Sequence, residues 1–191
     1  LSLDGLWQVA QGSMETPPSQ FKRTVPVPGL MDMAEPAFED AGKTSPRREA
    51  FWYRRTFQID GAITPVAILK LHKAKYASRI WINGQDVAEH SHCFTPGYFD
   101  VKQLLRGDGQ ANEILIRVGA HRDAMPQDTA TGWDFEKYRY LPGIYDSVEL
   151  ILTGAPYIRN VQVVPDIEKS QVRVVAQIDS DGGSVPVSAR V

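Results

Sequence analysis

The stretch Ser78-Arg79-Ile80-Trp81-Ile82-Asn83-Gly84-Gln85-Asp86-Val87 decides the fold. Its first five residues alternate between two faces and are rich in β-branched and aromatic side chains, which pack well on a pleated surface. Asn83-Gly84 then breaks the run. That dipeptide is favoured in type I′ hairpin turns, whose two central residues must both take φ > 0. Working outward, comparable short runs occur at Gly5–Val9, Phe51–Ile59, Val66–Leu71, Phe94–Phe99, Asn112–Val118 and Tyr145–Leu152. Short strands divided by Gly, Pro, Asn and Asp predict an all-β sandwich or barrel. Helical periodicity is scarce. Asp100 is placed to cap one helical turn, Val101–Leu105, which Gly107 ends. The proline-punctuated stretch Pro26–Pro46 reads as loop with a short helix near Ala34–Asp40.

A boundary is expected near Thr153–Pro156. Beyond it Val161 and Val163 alternate with polar neighbours, and Val172, Val174, Ala176 and Ile178 share one face of a second strand. After a turn at Asp181-Gly182-Gly183, a third strand would carry Val185, Val187, Ala189 and Val191 on one face. Sandwiches of this kind use about seven strands, so three do not close one. Residues 1–154 are therefore expected to form one sandwich, and 155–191 the opening strands of a second. The last residue falls inside an alternating run, which suggests a truncation.

With 191 residues, 42% of them hydrophobic and 23% charged, the chain has the makeup of a soluble protein that buries a sizeable core. A formal net charge of −2 gives no electrostatic reason to expect nucleic acid or a membrane surface as partner. No apolar run approaches the roughly 20 residues that span a bilayer. The start, Leu1 to Trp7, lacks the basic-then-apolar pattern of a signal peptide, although a removed leader would leave the same start. The single cysteine, Cys93, excludes an internal disulfide.

The connection between Val118 and Ile144 is much longer than the usual two to six residues or so, and long loops are often functional. It holds Trp133, Phe135, Tyr138 and Tyr140, interleaved with Asp134, Glu136, Lys137 and Arg139. Aromatic faces pack on the C–H faces of sugar rings, while carboxylates and guanidinium groups bond hydroxyls, so a carbohydrate surface is one reading. The other has most of these aromatics plugging one end of the sandwich. For most of them packing is preferred.

Several segments together resemble a known family. Phe51-Trp52-Tyr53-Arg54-Arg55-Thr56-Phe57 resembles the "WYRR-x-F" strand of the sugar-binding domain of family 2 glycoside hydrolases, the β-galactosidase, β-glucuronidase and β-mannosidase group. Ile80 to Val87 is similar to that domain's "VWLNG-x-x-V" hairpin. Glu89-His90, Phe94-Thr95-Pro96 and Phe99-Asp100-Val101 resemble "EH-x-GG-[FY]-TPF-x-x-DV". Asn112 to Val118 and Gly143 to Leu150 are similar to "N-x-L-x-V-x-V" and "GI-x-R-x-V-x-L". Order and spacing hold across Leu3–Leu152. The resemblance implies a galactose-binding-like jelly roll, then an immunoglobulin-like sandwich begun by residues 155–191, then a TIM barrel with two catalytic glutamates. A barrel needs about 250 residues, so no catalytic residue is expected in this chain, only in a retaining glycosidase that contains it. Asn112-Glu113 imitates the family's acid/base pair but reads as a solvated strand-edge pair.

The resemblance also implies a substrate contact. In the β-glucuronidases an aspartate opening the long loop touches the sugar, and Asp134 is its counterpart here. Trp133 and Arg139 are expected beside it in a loop taken as Thr131–Leu141. Two departures stand out: His92-Cys93 replaces two small residues, and Asp146 replaces a basic one. The partners implied are a carbohydrate substrate and the chain's own C-terminal barrel, with no nucleic acid or membrane, and a homo-oligomer is left open. Export to periplasm or exterior is slightly favoured over the cytoplasm.

No cofactor or metal is expected. His90, His92 and Cys93 have zinc-ligand chemistry, but a structural zinc takes about four ligands, and His72 and His121 stand apart. A structural hydrogen bond for His90 and a packing role for Cys93 are preferred. An oxygen-ligated calcium site using Asp4 with Glu149 or Asp100 is left open. Trp7, Trp52 and Trp81 read as core. A free-standing carbohydrate-binding or adhesion module is the rival to the glycosidase reading.

Overall fold

The computed structural model describes residues 1–43, 48–131, 141–180 and 182–188. The Asn83-Gly84 break makes the expected hairpin. Asn83 and Gly84 have φ of 52° and 78°, and Ile82 pairs with Gln85 across the turn. The hairpin joins β6 (Ser78–Ile82) to β7 (Gln85–His90) at one edge of a six-stranded antiparallel sheet. Its other strands are β1 (Gly5–Gly12), β2 (Arg23–Val27), β3 (Ala50–Gln58) and β9 (Ala111–Gly119), in the order β2-β1-β3-β9-β6-β7. A three-stranded sheet faces it, with β4 (Val66–Leu71) between β8 (Gly97–Asp100) and β11 (Val148–Thr153). The short strands β5 (Ala74–Lys75) and β10 (Gly143–Ile144) form a separate pair.

The two sheets enclose one apolar core. Trp7, Val9, Phe51, Tyr53, Ile80, Ile82, Ile114 and Ile116 come from the larger sheet, and Ala67, Leu69, Leu71, Val148 and Leu150 from the smaller. Burial of this apolar area is the main stabilising term. Trp7 is core, with its Nε1–H donating to the Leu3 carbonyl at 2.8 Å. Trp81 departs from the expected core place, being partly exposed, whereas Trp52 is buried as expected. Both lie on the outer face of the larger sheet, stacked with centroids 5.1 Å apart. Trp52 is fully buried there, its Nε1–H bonded to the Ser13 carbonyl, whereas Trp81 is partly exposed.

Four further expectations are corrected. The Ala34–Asp40 helix does not form. A 3₁₀ turn at Met31–Met33 takes its place, and Glu35 exchanges backbone hydrogen bonds with Thr24. The turn after Asp100 is 3₁₀, over Lys102–Leu104, although Asp100 Oδ1 does accept from the Lys102 amide. The strand expected over Tyr145–Leu152 begins only at Val148, since Tyr145, Asp146 and Ser147 are not in a strand. Asn112 is not solvated. It is 1% exposed, while its neighbour Glu113 is exposed. Asn112 Nδ2 donates to the carbonyls of Arg106 and Gln110, and Oδ1 accepts from Arg106 N–H and Asn83 Nδ2. A buried amide placed this way satisfies several backbone groups at once.

Beyond Thr153 the chain forms a two-stranded ribbon, β12 (Tyr157–Asp166) and β13 (Gln171–Asp179). Its register sets Val161 opposite Ala176 and Val163 opposite Val174, so the predicted alternation gives one apolar face. That face is exposed. The third strand does not form over residues 184–188, and Ala189 and Val191 lie outside the described residues, as does Asp181.

Candidate functional site

The long connection leaves the sandwich at Gly119 and returns at Gly143, and both roots need glycine. A Cβ at Gly119 would lie 2.4 Å from Ala124 Cβ and 2.8 Å from the Tyr76 carbonyl oxygen. One at Gly143 would lie 2.5 Å from the Gly29 carbonyl oxygen. Both roots bond to one short segment. Gly143 and Ile144 pair with Lys75 and Ala74, and Gly119 exchanges backbone hydrogen bonds with Tyr76. Between the roots, a 3₁₀ turn at Arg122–Ala124 begins at His121, whose ring accepts from the Asp123 amide. Beside that turn lies a cavity of about 580 Å³ bordered by Arg122, Gln127, Thr129 and Thr131. The three residues expected to touch substrate, Asp134, Trp133 and Arg139, lie outside the described residues, as do Phe135, Glu136, Lys137, Tyr138 and Tyr140.

Around the returning root the side chains form ion pairs. Asp146 accepts from Lys73 Nζ at 2.8 Å and from the Ser147 amide, so the departure at this position has a local cation partner. These bonds hold its carboxyl below the usual aspartate range. Glu149 binds His72 Nε2 at 2.9 Å and Lys70 Nζ at 3.3 Å. The hydrogen bond from His72, aided by Lys70, lowers its pKa from the ordinary 4.5 against an opposing desolvation effect. A depressed carboxyl pKa stabilises the fold fully above the unfolded-state value, and that contribution disappears as pH falls through the folded-state value. Denaturant melts from neutrality downward should therefore lose stability below about pH 4.5. Glu149→Gln should flatten that decline; an unchanged slope would show that the pair contributes nothing.

The metal readings find no assembled ligands. His90 Nε2 donates to the Thr95 carbonyl at 2.8 Å, with the His92 ring edge-on at 5.8 Å. Cys93 is buried with Tyr76, Ala77 and Met125, and burial pushes its thiol pKa up. The carboxylates considered for calcium are separately engaged. Asp4 accepts from Val148 N–H and Ser147 Oγ, Glu149 binds His72, and Asp100 binds the Lys102 amide. Among the described residues, no three His, Cys, Asp or Glu side chains gather as a metal group.

Sequence reasoning missed the segment Ala74–Tyr76. It is too short to show a period, and its partners Gly143 and Ile144 lie far along the sequence. Its only signal was the pair of glycines bounding the long connection.

Residues 15–147 match the family described as the glycosyl hydrolase 2 galactose-binding domain-like. The chain belongs to that family. Among curated relatives, a β-galactosidase of Thermoanaerobacter pseudethanolicus is 25% identical over 118 residues, covering 60% of this chain and 15% of the relative. A Mus musculus β-glucuronidase is 24% identical over 169 residues, covering 73% and 26%. The chain thus spans about a quarter or less of such relatives. The solved β-D-mannosidase of Dictyoglomus thermophilum superposes with TM-score 0.70 at 21% identity, covering 94% of this chain and 26% of that one. A β-D-glucuronidase from the same organism gives 0.64 at 19%, covering 95% and 32%. At such identities the likeness establishes the fold.

Proposed function

We propose that this chain is the N-terminal accessory region of a retaining glycoside hydrolase that cleaves O-glycosidic bonds in carbohydrate substrates. Residues 1–154 are its jelly roll, and 155–191 begin an immunoglobulin-like sandwich. The region braces a catalytic barrel and lends the connection holding Trp133, Asp134 and Arg139 to the substrate pocket. The supporting observation is the family match over residues 15–147, joined to a long connection seated by two close-packed glycines. The exposed apolar face of β12 and β13 fits the same reading, because such a face calls for further packing partners.

The rival is a free-standing glycan-binding module, favoured by the same aromatic and charged connection. Titration calorimetry of the 191-residue chain with oligosaccharides separates the two. Binding at millimolar concentration or tighter, on the order of 4 kcal/mol, favours the module. The accessory role predicts no heat, because the connection would bind sugar only together with barrel residues. Reading the gene downstream of Val191 is a cheaper check, and a stop codon there would defeat the proposal.

A further inference from the structure

We infer that Cys93 and Tyr145 are positioning residues, a single anchor shared by both roots of the long connection. The inference rests on the proposed role of that connection in substrate contact. On the outgoing side, Met125 follows the Arg122–Ala124 turn and is buried against Tyr76, Ala77 and Cys93. On the returning side, Tyr145 directly follows β10, and its hydroxyl donates to the Cys93 carbonyl. Cys93 therefore holds one root through its side chain and the other through its backbone. The segment beneath it, Ala74–Tyr76, bonds to Gly143 and Ile144 on one side and to Gly119 on the other.

Two details indicate that this arrangement is strongly specified. Ala77 has φ of 46°, a left-handed conformation that non-glycine residues adopt only where surrounding packing imposes it. Tyr145 has its phenol pKa pushed up to about 12, first by burial and then by Cys93 and Asp146, so the hydroxyl stays a donor throughout the physiological range. Lys75 Nζ lies 5.6 Å from the Tyr145 ring centroid and steadies its orientation. Nothing in this cluster is placed to react. Its geometry fixes where the connection starts and stops.

The test uses amide hydrogen exchange on the 191-residue chain. Tyr145→Phe removes the hydroxyl and keeps the ring; Met125→Ala loosens the other root. Each should speed exchange in peptides spanning residues 120–142 about fivefold, with the paired amides of β3 and β9 unchanged. A shared anchor predicts coupling, so the double variant should exchange more slowly than the product of the two effects. Unchanged exchange, or effects that simply multiply, would overturn the shared anchor. In the full-length enzyme, Tyr145→Phe should raise KM about fivefold and lower kcat by a smaller factor. Faster exchange with unaltered kinetics would keep the anchor and remove the connection from substrate binding.

Discussion

Asp134→Ala in the full-length enzyme should lower kcat/KM about 10- to 100-fold, the range expected for losing a charged hydrogen bond of about 1.5–3 kcal/mol. The effect follows from the role proposed for Asp134. A carboxylate accepting from sugar hydroxyls in a pocket closed by a barrel makes charge-assisted bonds shielded from water. Those bonds also orient the ring, so part of the loss should appear in kcat. Asp134→Asn, which keeps the shape and one acceptor, should fall between wild type and alanine. Trp133→Ala should mainly raise KM, because a stacking face contributes to binding ground state and transition state alike. Steady-state rates with nitrophenyl glycosides decide the matter. Unchanged kinetics for Asp134→Ala would take this residue out of the site.

The largest expected stability effect lies elsewhere. Asn112→Ala should destabilise the sandwich by about 3–4 kcal/mol, comparable with deleting a large core side chain. The substitution leaves four polar groups without this partner: the Arg106 amide, the Arg106 carbonyl, the Gln110 carbonyl and one Asn83 Nδ2 hydrogen. Asn83 depends on this partner because its amide also ties the Gly84 turn to Leu104 and Glu113. The loss should therefore reach the β6–β7 hairpin edge. Asn112→Asp is informative, since it keeps the acceptor but removes the donor to Arg106. It should cost nearly as much and should be rescued in part by acidification. Urea unfolding measures both. A loss below about 1 kcal/mol for alanine would mean that water replaces the network.

Much of this architecture could be read from local chemistry. Asn83-Gly84 announced its turn because only a few residue pairs accept φ > 0 twice in succession. Val66–Leu71 was placed to the residue because a buried run of that length has few other interpretations. What stayed hidden depended on distant partners. β2 carries a proline next to its end, at Pro26, which argued against a strand, yet it survives as the edge of the larger sheet where a missing N–H costs little. β7 is mostly polar, and its two apolar residues, Val87 and Ala88, are adjacent rather than alternating, so pairing with β6 defines it. Asn112 looked like a solvated residue at a strand start. Its burial comes from Arg106 and from a hairpin 29 positions earlier, which no local pattern shows. Trp52 and Trp81 were correctly placed in strands, but the burial of Trp52 outside the main core showed only in the fold, because the segment from Ser13 that covers it has no regular structure.

The candidate site divides along similar lines. The length and composition of the long connection marked it as a candidate, and the resemblance to the glycoside hydrolases implied a role for Asp134. The anchor of that connection could not be read, because Cys93, Met125 and Tyr145 are far apart in sequence and share no motif. Asp146 could be recognised as a departure, but its pairing with Lys73 required the fold.

The central claim, that this chain is the non-catalytic front of a glycosidase, is tested most directly by one paired assay. The 191-residue chain and the full-length gene product are incubated with a panel of nitrophenyl glycosides, including galactoside, glucuronide and mannoside. The account predicts that the isolated chain releases no nitrophenol and that the full-length product hydrolyses at least one member with retention at the anomeric carbon. Turnover by the isolated chain, or no turnover of any glycoside by the full-length product, would contradict it.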